Sequence, residues 1–172
     1  IHCDFVRPGV KYTPFASLRD QDIVNNSVTY KGLSKTFSLA AMRSSYYFCT
    51  DPTLAARIKR NHRISQNSLG MIANEAAYRD GADWLDQLLP YIDSNHTLVE
   101  NYLKEKIPSV GYTKTQGTYF AWLDFSNLMN AIGAKKEAMM TQDSDAPKTP
   151  TQILEKWLVT NAKVQLNPGS SY

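Results

Sequence analysis

Asn26 to Cys49, NSVTYKGLSKTFSLAAMRSSYYFC, is the stretch on which the reading of the fold turns. Val28 and Tyr30 at one end, and Tyr46, Tyr47 and Phe48 at the other, are β-branched or aromatic residues in short runs. Each run predicts a strand buried on both faces. Between them Gly32, Ser34, Thr36, Ser38, Ala40 and Ala41 leave room beside the backbone, so a bound group can come close. The spacing predicts a small-residue turn that presents Lys35 at the end of the first strand. With Phe37 as an apolar wall and the cation Arg43 nearby, that amine has the surroundings a Schiff-base nucleophile requires. The competing reading is an exposed loop lysine, which a bare Ser-Lys-Thr would favour because short motifs match by chance.

The wider context is more specific. Ser34-Lys35-Thr36-Phe37-Ser38-Leu39-Ala40-Ala41-Met42-Arg43 resembles the lysine segment of fold-type I pyridoxal-phosphate enzymes, the class I/II aminotransferases. In that family an arginine eight positions after the lysine grips the cofactor phosphate. The opening Ile1-His2-Cys3-Asp4-Phe5 is similar to a block of the cystathionine β-lyase-like C-S lyase branch. Asn67-Ser68-Leu69-Gly70, Ala76-Ala77-Tyr78, Gly81, Trp84-Leu85 and the run from Gly117 to Asp124 resemble that branch in the same order. Nearly the whole chain takes part, apart from about 126 to 150.

The resemblance implies an α/β chain of the pyridoxal-phosphate-dependent transferase fold, here the end of a large cofactor domain (1–81), a long interdomain helix (82–108) and an incomplete small domain (109–172). It implies pyridoxal 5'-phosphate as cofactor, Lys35 as the lysine that holds it and takes the Cα proton, and Arg43 on the phosphate with the Ser34 hydroxyl beside it. His2 would take the position of a residue that bonds the cofactor's phenolic oxygen; a merely packed strand residue is the alternative. Gly32 departs from the serine that many aminotransferases carry three positions before the lysine. The implied partners are a small amino-acid substrate and a second copy of the protein in a homodimer.

At 172 residues and 42% hydrophobic, the chain can bury a core of ordinary size. Its formal charge of +3, from 19 basic and 16 acidic residues, is spread along the sequence and gives no strong field for nucleic acid. Arg57, Lys59, Arg60 and Arg63 cluster, but Ile58 and Ile64 interleave with them, which suits a solvated helix face. No apolar run approaches a membrane span. Cys3 and Cys49 read as free buried thiols, which fits a reducing cytoplasm. A metal site built from His2, Cys3 and Asp4 is not expected, since consecutive strand residues point to opposite faces.

Along the chain, 1–6 predicts a strand and Arg7 to Leu18 an irregular loop, because Pro8, Gly9 and Pro14 forbid regular helix. Ser17 to Asn25 suits a short polar helix. Asp51-Pro52 opens a helix as a cap followed by proline, and the apolar period runs on to Ala77 before Gly81 interrupts it. Trp84, Leu88, Ile92, Val99, Leu103 and Ile107 then predict a helix of about seven turns, bent by Pro90. Tyr119 to Leu123 reads as a strand buried on both sides, 127–140 as a loose helix, and 141–148 as loop or disorder. Thr149-Pro150-Thr151-Gln152 supplies a capping box, and Lys163 to Leu166 a final strand.

Three functions compete at this level. The first is a C-S β-lyase acting on cystathionine or cysteine conjugates, the second an aminotransferase, and the third a non-catalytic interaction domain with a degenerate cofactor fold. Both ends read as cut, so the chain alone is expected to be inactive.

Overall fold

In the computed structural model, which describes residues 1–61, 67–140 and 149–172, the two aromatic runs pair with each other. Strand β1 (Thr29–Gly32) lies antiparallel to β2 (Ser45–Phe48), with Tyr30 opposite Tyr47 and Gly32 opposite Ser45. The expectation of burial on both faces fails. Tyr30, Tyr46 and Phe48 are exposed, because the described ladder has two strands, although Tyr46 meets the Tyr78 ring edge-on at 5.9 Å. Ahead of it, Asp20 accepts hydrogen bonds from the amides of Asp22 and Ile23 and starts the short helix α1 (Gln21–Asn25). Between the strands the chain makes a single turn, α2 (Leu33–Thr36), and then a 3-10 turn, Ala40–Met42.

Asp51 caps α3 (Pro52–Asn61) as its sequence requires, accepting from the Leu54 amide at 2.6 Å. Leu54 and Ile58 are half-buried while Arg57, Lys59 and Arg60 are exposed; Arg63 and Ile64 lie outside the described residues. Helix α4 (Ser68–Asp80) follows, capped by Asn67 and closed at Gly81. Helix α5 (Ala82–Lys106) is 25 residues long and runs through Pro90. The expected stripe holds in its middle, where Leu88, Ile92 and Val99 are half-buried and Leu103 is buried, joined by the buried His96; its ends, Trp84 and Ile107 just past the helix, are exposed.

The chain divides into two units, 1–97 with 115–120, and 98–114 with 121–172. The core of the first holds Phe5, Val24, Leu33, Thr36 and His96. Residues 1–6 are not the expected strand. Phe5 N donates back to the His2 carbonyl at 3.0 Å, closing a turn at Cys3 and Asp4, and only Val6 bridges to a neighbour, Gly117. Arg7, with its side chain almost buried, pairs with Asp93 of α5 and donates to the Thr115 carbonyl.

The second unit contains a two-residue ladder of β3 (Gly111–Tyr112) and β4 (Leu123–Asp124). The predicted strand at 119–123 therefore shrinks to its end. Thr118 is in the left-handed region at φ 66 and its amide is taken by Phe5 O, which turns the backbone out of extended geometry just before Tyr119. Tyr119, Phe120 and Trp122 are consequently exposed. The loose helix is two short ones, α6 (Ser126–Ala131) and α7 (Ala134–Met140). Helix α8 (Pro150–Trp157) has the expected capping box between Thr149 and Gln152. Ile153, Leu154 and Leu158 join Leu103, Val110 and Ala134 in this unit's core. No strand forms at 163–166. Leu158–Ala162 is a π-helical turn that ends at left-handed Lys163, with Val164 N bonded back to Leu158 O. The segment read as loop or disorder, 141–148, lies outside the described residues.

Candidate active site

Leu33 and Thr36 are 0% and 1% exposed, so they anchor α2 and leave Ser34 and Lys35 half-buried on its other side. Among the described residues, the side chains of Ser34, Lys35 and Arg43 have no hydrogen-bond or ion-pair partner. Gly32, which precedes α2, is buried because its Cα faces Ser44 and Ser45. A Cβ there would stand 3.1 Å from the Ser44 carbonyl and 3.2 Å from the Ser45 Cβ, a tight fit that a serine would have to push apart by a few tenths of an ångström.

Arg43 lies at the other end of the turn, exposed and in the left-handed region at φ 46. Helix α4 fixes that position from behind. Asn67 Nδ2 donates to the Met42 carbonyl at 2.8 Å while its Oδ1 caps Gly70, and Asn74 Nδ2 donates to Ser44 Oγ at 3.2 Å. Gly70 allows the approach, since a Cβ there would be 2.6 Å from Met42 O. Ser34 and Lys35 thus sit on α2 and Arg43 at the end of the 3-10 turn that follows it, each with its side-chain donors unused by any described residue.

His2 packs against Tyr119, Phe120 and Phe5, with ring centroids 5.2, 5.7 and 6.1 Å away. Its Nδ1 lies 3.4 Å from Thr118 Oγ1. Burial first, with the positive charge of Lys35 beside it, lowers the imidazole below its ordinary value. Lys35 and His2 therefore share one electrostatic neighbourhood. Below His2, His96 Nε2 donates to the Thr118 carbonyl at 3.0 Å, so Thr118 is held at both its hydroxyl and its backbone.

Sequence reasoning missed one cluster here. Asp4 Oδ2 accepts from Thr36 Oγ1 at 2.7 Å, and its Oδ1 accepts from Lys31 Nζ at 3.0 Å. Burial would push the Asp4 carboxyl up, but the Thr36 and Lys31 hydrogen bonds outweigh it and hold the carboxyl below its ordinary value. For Lys31 burial works the opposite way and is again outweighed, by Asp4, so the ammonium is pushed up. Lys31 Nζ also sits 5.4 Å from the ring centroid of Tyr78, whose hydroxyl is buried without a hydrogen-bond partner. Burial pushes that phenol up to about 12. Phe37, expected as the wall beside Lys35, has Tyr78 and Trp84 as its ring partners. The available signal was Asp4 itself, a carboxylate in an otherwise apolar run that requires a partner. Cys3 and Cys49 are free thiols, half-buried rather than buried.

The model of class I and II aminotransferases matches residues 1–172. The chain belongs to this family. Among its relatives, cystathionine beta-lyase PatB of Bacillus subtilis is 36% identical over 176 residues, which takes in 100% of this chain and 40% of PatB. Cystalysin from Treponema denticola, whose crystal structure contains pyridoxal 5'-phosphate, is similar in fold with a TM-score of 0.78 at 25% identity, over 98% of this chain and 39% of that one. The PLP-bound C-S lyase from Staphylococcus hominis gives 0.74 at 25% identity, over 100% and 39%. The α/β architecture is thus that of the pyridoxal-phosphate-dependent family members, and the chain spans about 40% of the length of the curated relatives it matches. No described helix is long and apolar enough to cross a membrane.

Proposed function

We propose that the protein carrying this chain is a pyridoxal-phosphate-dependent C-S β-lyase that acts on cystathionine or cysteine conjugates and releases a thiol, pyruvate and ammonia. The observation that carries this is the unpaired, half-buried Lys35 on a single helical turn anchored by Leu33 and Thr36, eight residues before an unpaired arginine, in a class I/II family chain. The name of PatB and the C-S lyase structures support elimination as the reaction.

The cofactor, when bound, supplies an electron sink for the substrate's Cα. In this reading Lys35 Nζ holds it covalently and then takes the Cα proton. Arg43 forks two donors onto the phosphate, and Ser34 Oγ adds a third. His2, with its imidazole biased toward the neutral form, offers a nitrogen to orient the phenolic oxygen. The protein is inferred to work as a homodimer, a reading supported by Leu69 and Ile72, exposed on α4.

Amino transfer is the second reading, and the family's own description favours it. The two would part after Lys35 has taken the Cα proton: elimination expels the substrate's Cβ substituent, whereas transfer keeps it and moves the amino group to a 2-oxo acid. Supplying the full protein with cystathionine and a 2-oxo acid, then assaying pyruvate and thiol against amino-acid product, separates them. Thiol and pyruvate in equal amounts are expected. Amino transfer without thiol release overturns the lyase reading, and sedimentation as a monomer overturns the dimer.

A further inference from the structure

Two lysines flank the same turn, Lys31 on β1 and Lys35 four residues later on α2. A carbonyl compound reacts with any deprotonated, accessible amine, so something must distinguish them. The structure distinguishes them through one residue. Asp4 divides its carboxylate between Lys31 Nζ at 3.0 Å and Thr36 Oγ1 at 2.7 Å, and Thr36 is the buried neighbour of Lys35. The Tyr78 ring faces the same ammonium. Lys35 has no such partner among the described residues.

We propose that Asp4 is a positioning residue that selects the reactive lysine: it sequesters Lys31 as an ion pair and pins Thr36, which leaves Lys35 as the unpaired amine of the turn for a carbonyl cofactor. The inference rests on the reading of Lys35 given under Proposed function. An ammonium paired with a carboxylate resists deprotonation, and only the free amine attacks a carbonyl. The raised Lys31 and lowered Asp4 titrations agree with the pairing. The second bond does separate work. It fixes the side chain next to Lys35 on a helix only four residues long, which has little internal rigidity of its own.

The test is the distribution of label between the two lysines, which a general loss of stability would not redirect. The full protein is incubated with pyridoxal 5'-phosphate, trapped with borohydride and mapped by peptide mass spectrometry. Wild type is expected to carry label at Lys35, and Asp4→Asn to raise the Lys31-to-Lys35 ratio at least tenfold. Asp4→Asn combined with Lys31→Gln should return the label to Lys35. Label at Lys35 in both wild type and a folded Asp4→Asn, with an unchanged ratio, overturns this inference while leaving the proposed function intact. Label at another lysine in wild type overturns the proposed function itself. Competitive acetylation of the wild type gives a measure independent of any variant's folding. Lys31 should react at least tenfold more slowly than the exposed Lys11, and equal rates overturn the pairing.

Discussion

Neither the Lys35 amine nor the Arg43 guanidinium bonds to a described residue, which makes their removal informative. Lys35→Ala deletes a half-buried amine that bonds to nothing described, so the fold should change within about 0.5 kcal/mol while cofactor absorbance disappears. Absorbance scanning alongside thermal unfolding checks both halves. Retained absorbance would show that another amine holds the cofactor. Arg43 permits a sharper dissection because its backbone is left-handed, a conformation that costs a non-glycine residue roughly 1 kcal/mol. Arg43→Gly relieves that strain but gives the unfolded chain about as much extra freedom. Its melting temperature should hardly move, whereas Arg43→Ala keeps the strain. Both lose the guanidinium, so both should release cofactor at least tenfold more readily. If Gly retained cofactor and Ala did not, backbone geometry and not charge would be the cause.

At the scale of elements, α4 is the brace for the turn that carries Arg43. Gly70→Ala places a Cβ within 2.6 Å of the Met42 carbonyl, which is backbone and cannot swing away. The expected cost is about 1–3 kcal/mol, together with weaker cofactor retention, because the displaced segment is the one next to Arg43. Urea unfolding and cofactor dialysis measure the two effects. Unchanged retention at reduced stability would separate the brace from the site. Much of this framework is legible in the residues alone. Asp51-Pro52 and Thr149-Pro150-Thr151-Gln152 act through contacts three residues away, and the chain itself supplies them. The β1 and β2 pairing was legible as two strands for the same reason, being local in composition. The failures share a different cause. His2 to Val6, Tyr119 to Leu123 and Lys163 to Leu166 have strand-like composition, but their geometry is set by Thr118 and Lys163 in left-handed backbone and by partners distant in sequence. The Asp4 cluster and the Asn67 bond to Met42 span 27, 32 and 25 residues, so no periodicity announces them. For the candidate site, the Ser34-Lys35 to Arg43 motif is legible in the residues, whereas the contacts that brace its turn are not.

Over the whole molecule these local choices combine in the dependence of stability on pH. The Asp4 carboxyl titrates lower in the folded protein than in the unfolded chain, so the unfolded chain binds the extra proton first as pH falls. Its contribution is therefore present above the ordinary carboxylate range and is lost as pH drops through its folded value. Lys31, raised by the same pair, contributes fully below the ordinary lysine range and loses its share only as pH rises through its own folded value. The pair is at full strength across neutral pH. His2 adds a separate acid limb. Its imidazole is lowered from 6.5, so the unfolded chain takes up a proton that the fold resists, and stability begins to fall as pH drops past that point. Hydrogen exchange of the β1 and α2 amides should then show two declines on acidification, one starting near 6.5 and one in the carboxylate range. His2→Gln should flatten the first and leave the second. Asp4→Asn should flatten the second, at a cost of about 1.5–3 kcal/mol at neutral pH for the lost charge-assisted bonds. A single acid transition untouched by Asp4→Asn would mean that the pair with Lys31 contributes nothing to holding the lysine turn in place.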